Sequence, residues 1–275
     1  MQFNKILPIC KIGGTRVEEA AKLISRIESS SILQKAGFEI INRYDQADNK
    51  TLVVPIGGDG TVLHAAKYSV DLGLPLLGVN LGNIGFLTDL YSDEAIDWLS
   101  SINEPNLWIE EERTLLCVEH TDCLALNDFV ISDTQSDSII RYNLRIGAQD
   151  AGNHKANGVI VATPTGSTAY ALYVGGSIIE PSLDVIEIIP VAAMSMSSRP
   201  IIASGKSEIR IKVQLKPGRK VSLKADGQDC DISAVSSDGL AEIVITQYKK
   251  KVRMIHMKDW NFFNKMTDKL GWNNI

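Results

Sequence analysis

Over the first hundred residues the apolar positions switch between two rhythms. Lys5–Cys10 is a short apolar run, and from Arg16 to about Gln34 the residues Val17, Ala20, Leu23, Ile24 and Ile27 recur at three- and four-residue spacings. That stripe is one face of an amphipathic helix. Phe38–Ile41 (FEII) and Thr51–Ile56 (TLVVPI) are compact runs with β-branched residues, the pattern of strands buried on both faces of a parallel sheet. A helix over Thr61–Val70, a strand over Pro75–Val79 and a helix around Ser92–Ile102 continue the series. The order βαβαβα predicts an α/β domain, a parallel sheet with flanking helices.

After Pro105 the rhythm changes. RTLLCVEH, CLALNDFVIS, IIRYNLRIGA, GVIVATP, EIRIKVQL, KVSLKAD and AEIVIT are short strand-like runs separated by polar, Gly- and Asp-containing turns. Ile209, Ile211, Val213 and Leu215 alternate with polar residues, the period of a half-buried strand. Such a series predicts a β-rich, mostly antiparallel, sandwich-like domain. Lys258–Gly271 returns to helical character, with Trp260, Phe263 and Leu270 as packing residues. The expected division is an α/β domain over residues 1–104, a β-rich domain over 105–251, and a segment over 252–275 whose helix packs back on the first domain.

Composition narrows the function classes. The 275 residues are 44% hydrophobic, enough for two cores without disulfides or metals as staples. Lys and Arg number 28 against 33 Asp and Glu, a net charge of −5, which argues against a nucleic-acid polymer as partner. Cys10, Cys117, Cys123 and Cys230 show neither a CxxC pair nor zinc spacing with His64, His120, His154 or His256. The N-terminus MQFNKILPIC is too weakly apolar for a signal peptide, and no apolar stretch is long enough to span a bilayer. A cytoplasmic protein without membrane association is expected, and no dedicated metal ligands are assigned.

The chemistry concentrates in Gly57-Gly58-Asp59-Gly60-Thr61, between a predicted strand and a predicted helix starting at or near Thr61. Glycines permit positive φ and let backbone N–H groups approach a ligand, and the helix N-terminus favours an anion at the same point. Taken alone, the segment also reads as a tight βα turn with Asp59 as cap. No GxxxxGK[ST] loop, GxGxxG fingerprint, GxSxG elbow or protein-kinase signature set occurs.

VVPIGGDGTVLHAA resembles the signature of a kinase superfamily joining NAD kinases, phosphofructokinases and diacylglycerol-type lipid kinases. GVNLGNIGFLTDL (Gly78–Leu90), ALNDFVIS (Ala125–Ser132), ANGVIVATPTGSTAYALYVGG (Ala156–Gly176) and the closing KLGW (Lys269–Trp272) select one branch. On these motifs the chain resembles the ATP-NAD kinase family, of the bacterial type, along nearly its whole length. The resemblance implies transfer of the γ-phosphoryl group of ATP, or in some members of polyphosphate, to the 2′-hydroxyl of the adenosine ribose of NAD, giving NADP. By the same resemblance Asp59 is the general base, while Gly58 and Gly60 leave room for phosphate and ribose and Thr61 is counted with them among the binding residues. Phe86 is an apolar wall, Asn127 meets adenine and Asp128 meets ribose hydroxyls. Thr165, Thr168, Ala169 and Tyr170 line the NAD pocket. Lys155 stands near the phosphates and Asn157 where a nicotinamide or ribose contact is expected. Mg²⁺ would bridge nucleotide phosphates and keep several waters. A homo-oligomer, dimer or tetramer, is implied as well.

The chain departs from the family at Asn157-Gly158, where Asp-Gly is usual, and at Met194–Ser197, where a His is frequent; Arg199-Pro200 matches. Asp226-Gly227-Gln228 resembles the family's DGQ turn and also reads as a plain β turn. Two alternatives follow from the residues. One is a lipid or sugar kinase sharing only GGDGT, against which TPTGSTAY and Asn127-Asp128 count. The other is a non-catalytic NAD(P)-binding regulator, against which Asp59 counts.

Overall fold

The computed structural model describes residues 2–11, 16–82, 85–135, 138–216, 218–233, 235–237 and 239–272. By contact the chain divides into two units, Met1–Arg113 with Lys250–Ile275, and Thr114–Lys249.

The first unit opens with β1 (Lys5–Ile9) and α1 (Val17–Glu28), whose apolar stripe buries Ala20, Leu23 and Ile27. The single helix expected to run to Gln34 stops at Ser29, and Ser30 caps α2 (Ser31–Lys35), its Oγ accepting the Leu33 N–H at 3.3 Å. A serine side chain satisfies a free N–H at a helix start better than it serves a helix interior. Next come β2 (Glu39–Ile40), β3 (Thr51–Gly57) and α3 (Asp59–Leu72), then β4 (Val79–Asn80), β5 (Leu90–Tyr91) and α4 (Ala95–Ser101). The five strands pair in parallel in the order β2-β1-β3-β4-β5. Central β3 is buried through Ile56, which explains its unbroken apolar sequence. Most of the expected strand Pro75–Val79 makes isolated contacts instead. The Pro75 carbonyl accepts from Val53 N–H, and Leu76 bonds in both directions to the chain's last strand, at Arg253 and Ile255. The unit's first hundred residues are followed by β6 (Trp108–Arg113).

The second unit contains β7 (Leu116–Val118), β8 (Leu124–Ala125), β9 (Asp128–Asp133), β10 (Ile140–Ile146), β11 (Gln149–Ala156) and β12 (Gly158–Ala162). After the short helix α5 (Tyr170–Tyr173) come β13 (Val185–Val191), β14 (Ile201–Ser204), β15 (Ile209–Gln214), β16 (Val221–Ala225), β17 (Gln228–Asp229), β18 (Ser236–Ser237) and β19 (Leu240–Gln247). They form two antiparallel sheets, β11-β10-β15-β19-β7-β8 with β18 on β19, and β14-β13-β12-β9-β16-β17. Alternate residues of both, such as Phe129, Ile131, Val159, Val161 and Ile186 from one and Leu144, Ile211, Ile243 and Ile245 from the other, make one shared core. This is the expected sandwich. Five of these strands, β11, β13, β14, β17 and β18, lay outside the sequence reading. Polar β11 is an edge strand, where hydrophilic residues are tolerated. In β13 the apolar run is interrupted by Glu187, which is fully buried and accepts the Ser177 N–H at 2.7 Å.

The chain then returns to the first unit. β20 (Val252–Met257) pairs antiparallel with β6, and α6 (Phe262–Leu270) starts on an Asn261 cap and ends at left-handed Gly271. Phe262 and Met266 are buried, and the Lys265 ammonium meets Thr88 and Asp89, so the C-terminal helix packs on the N-terminal α/β unit. The division falls at Arg113, later than the expected Glu104, because β6 finds its hydrogen-bond partner in β20. No helix among the described residues is long and apolar enough to cross a membrane.

Candidate active site

In the first unit, the GGDGT segment forms the connection from β3 to α3. The helix begins at Asp59, two residues earlier than expected, with Gly58 as its cap. Of the three glycines only Gly57 has a positive φ, and a side chain there would collide with the Thr61 hydroxyl. At Gly58 and Gly60 an added Cβ meets nothing within 4 Å. Both line a cavity of about 320 Å³ together with Thr61, Lys11, Arg16 and Asn80. The cavity therefore combines the amides of a helix N-terminus with two cations, at the carboxyl ends of parallel strands, where open α/β sheets bind ligands. Lys11, Arg16 and Asn80 were missed from the sequence. The available signal was their place just beyond β1 and at the end of β4, which requires the strand order to be known.

Asp59 is turned toward the loop after β4. Its Oδ2 accepts the Phe86 N–H at 2.8 Å and its Oδ1 accepts the Leu87 N–H at 3.0 Å. The approach is so close that a Cβ at Gly85 would overlap the carboxylate. The loop is closed on itself by the Gly85 N–H donating to Thr88 Oγ1 at 2.9 Å. A carboxylate offers about four lone-pair sites. Two are taken by these amides, which fix the group while leaving acceptor capacity for a hydroxyl. Phe86 itself is half-buried.

In the second unit, Asn127 and Asp128 stand at the start of β9 and Thr163 just after β12, with Asp128 opposite Ala162 in the antiparallel register. The Thr163 N–H donates to the Asn127 carbonyl at 2.9 Å, and Thr163 Oγ1 donates to the Leu126 carbonyl. The two motifs, distant in sequence, thus form one structure. Asp226 organises it. Its carboxylate accepts the N–H groups of Leu126, Asn127 and Asp128 at 3.1, 2.8 and 3.3 Å, and its own N–H donates to the Asp128 carbonyl at 3.0 Å. The Asp-Gly-Gln turn is thus more than a turn. Asp128 is buried, and desolvation, reinforced by the Asp226 charge, pushes its carboxyl up to about 7.

The TPTGSTAY block folds as a 3-10 turn, Thr165–Thr168, directly before α5. Thr165 is buried, Thr168 Oγ1 donates to the Thr165 carbonyl at 3.2 Å, Ala169 is half-buried, and Tyr170 is 44% exposed. Lys155 and Asn157 lie elsewhere. Gly158 pairs with Ser132 at the far end of β9, which sets Asn157 about 20 Å along the strand from Thr163, six residues at about 3.3 Å each. Exposed Lys155 instead lines a cavity of about 700 Å³ with Arg141, Lys216 and Arg219. Among the described residues no group of three or more His, Cys, Asp or Glu is placed to hold a metal ion.

Comparisons with known proteins match both parts of the chain. A model of the ATP-NAD kinase N-terminal domain matches residues 9–107, and one of the ATP-NAD kinase C-terminal domain matches residues 126–256. NAD kinases of Pseudomonas entomophila (strain L48) and Marinobacter nauticus are each 33% identical over 290 aligned positions, covering 98% of this chain and 96% and 97% of theirs. Among solved structures, yeast NADH kinase complexed with NADH is similar with a TM-score of 0.79 and 22% identity, covering 100% of this chain and 89% of that one. An NAD kinase from Archaeoglobus fulgidus in complex with ATP gives 0.74 and 24%, covering 96% and 98%.

Proposed function

The chain belongs to the ATP-NAD kinase family, and from that premise we propose that it transfers the γ-phosphoryl group of ATP to the 2′-hydroxyl of the adenosine ribose of NAD, giving NADP. Phosphoryl transfer asks the protein for positioning and charge stabilisation more than for covalent chemistry. The observation that carries the reading is Asp59, a carboxylate held by two backbone amides beside a glycine-lined, cation-lined cavity. Asp59 takes the proton of the 2′-hydroxyl as that oxygen bonds to the γ-phosphorus and the bond to the bridging oxygen breaks, releasing ADP. The amides of Gly58 and Gly60, the N-terminus of α3, and the side chains of Lys11, Arg16 and Thr61 meet donor phosphates. Mg²⁺, arriving with the nucleotide, supplies further neutralisation of phosphate charge.

In this reading Asn127 pairs with adenine, Asp128 accepts from ribose hydroxyls, and Thr165, Thr168, Ala169 and Tyr170 shape the pocket around them, while in the first unit Phe86 offers an apolar wall next to the Asp59 carboxylate that its N–H holds. Their distance along β12 favours Lys155 and Asn157 as contacts to the nicotinamide half of an extended dinucleotide. A cytoplasmic homo-oligomer, dimer or tetramer, is the proposed form, and light scattering on the purified protein decides the number of subunits.

Purified protein incubated with NAD, ATP and Mg²⁺ is expected to yield NADP, read with an NADP-specific dehydrogenase. No product with either ATP or polyphosphate would sink the proposal. Asp59→Asn is expected to keep the fold and lower kcat by about two to four decades, the range for a lost acid–base group. Turnover near wild type in that variant would remove Asp59 from its role.

A further inference from the structure

We propose that Lys265, in the C-terminal helix α6, is a positioning residue for phosphoryl transfer: it fixes the 85–89 loop, whose amides in turn hold Asp59. The inference rests on the reading of Asp59 as base. Residues 85–89 belong to neither strand nor helix, so their placement depends on individual bonds. Two of these go to Asp59, one closes Gly85 on Thr88, and one runs from the Asp89 N–H to the Gly78 carbonyl at 3.0 Å. A further anchor, beside the pairing of Asp89 with His256, is Lys265, whose ammonium donates to the Thr88 carbonyl at 2.9 Å and to Asp89 Oδ1 at 2.5 Å. Thr88 is fully buried, and a buried carbonyl requires a donor.

Lys265 is itself held by a buried charged cluster. Asp89 Oδ2 pairs with His256 Nδ1, and the His256 ring stacks on Trp260 at 4.2 Å. His256 Nε2 lies 3.3 Å from Glu111 Oε2, which accepts from Arg113 at 2.7 Å. Burial works to raise the Asp89 carboxyl, but the hydrogen bond and charge of His256 and the charge of Lys265 outweigh it and hold the group below the usual carboxylate range. Buried ion networks stabilise a fold poorly compared with apolar packing of the same volume. This one joins β6, β20 and α6 to the loop that orients the reacting group, a use that stability alone does not require.

The test compares Lys265→Met, which keeps the aliphatic stem and removes the ammonium, with Lys265→Arg. In Lys265→Met, kcat is expected to fall by one to about two decades, the cost of misplacing a reacting group by about an ångström, with KM for NAD and ATP unchanged within about twofold. Amide hydrogen exchange in the peptide covering 85–89 should accelerate by about tenfold or more as the loop opens locally. Lys265→Arg should restore most of both. In an Asp59→Asn background Lys265→Met should change the residual rate by less than about twofold, because residues acting as one unit are not additive. Wild-type kcat, a loss of kcat with wild-type protection of the loop, or a full additive loss in the Asp59→Asn background would each overturn the proposal. If Lys265→Met does not fold, Asp89→Asn carries the same readouts, with the same directions expected. The exchange measurement needs no turnover, so it decides the link between Lys265 and the loop even if wild-type protein makes no NADP.

Discussion

Asp128 is a carboxyl removed from water beside a second carboxyl, and both circumstances favour its neutral form. Its value of about 7, against 3.8 for the free group, makes the folded protein retain a proton that the unfolded chain has already released between those limits. The stability contributed by the neutral acid is fully present below the unfolded value and is lost as pH rises through about 7. Asp128→Asn should therefore flatten the fall in Tm between about pH 4 and about pH 7, measured by thermal unfolding in matched buffers. The same group is proposed to accept ribose hydroxyls, which its ionised form does and its protonated form does at only part of its capacity. KM for NAD is thus expected to fall as pH rises through about 7 in the wild type, and to lose that step in Asp128→Asn. A wild-type KM without pH dependence across this range would separate Asp128 from the ribose.

At the scale of elements, the site is built where chain segments leave the sheets, and their mutual approach is set by register. Gly166 shows how tight this is, because a Cβ there would run into the Asn127 backbone carbonyl. Gly166→Ala must push the 163–166 turn away from the start of β9, at an overpacking cost of about 1–3 kcal/mol. The expected result is a lowered Tm and a KM for NAD raised by about tenfold, since 1.4 kcal/mol of binding is one decade. A variant with normal KM would show that the turn and Asn127 move independently. As candidate groups, Asp59, Asn127-Asp128 and the 163–170 block could be picked out in the sequence because each lies in a contiguous run whose chemistry is local. Asp226 was legible only as a turn, because its bonds to residues 126–128 span nearly a hundred residues and depend on β16 lying beside β9. Lys11, Arg16 and Asn80 were hidden for a similar reason, since a cavity wall is a property of strand order. The break at Ser30, the polar edge strand β11 and the Glu187-bearing β13 were lost because periodicity weighs apolar spacing and not the partner that satisfies a polar group.

At the scale of the whole molecule, the alternation of strand and helix followed by short strands was enough to predict an α/β unit and a sandwich. It did not reveal that β6 belongs to the first unit, because its partner β20 lies beyond the entire second unit. The net charge of −5 argued against a nucleic-acid polymer as partner and was silent about a dinucleotide, which needs only a few local donors. The discontinuity has a consequence for folding. The core of the second unit is drawn from residues between Leu116 and Ile245, whereas that of the first includes Ile255, packed with Met257, from β20. Without residues 250–275, the segment Trp108–Arg113 loses its ladder, Leu76 loses its bonds to Arg253 and Ile255, and Asp89 loses both His256 and Lys265. Burial of a large aliphatic side chain is worth about 1.5–3 kcal/mol, and unpaired buried charges add a larger penalty. These losses exceed what a unit of ordinary stability, about 5–15 kcal/mol, tolerates. Residues 114–249 expressed alone are therefore expected to unfold cooperatively in urea with a β-rich circular dichroism spectrum, and residues 1–113 alone to show no cooperative transition. Adding residues 250–275 through a flexible linker to 1–113 should restore the transition. Cooperative unfolding of 1–113 by itself would mean that the parallel sheet and its helices suffice, and that the returning strand and helix serve only the site.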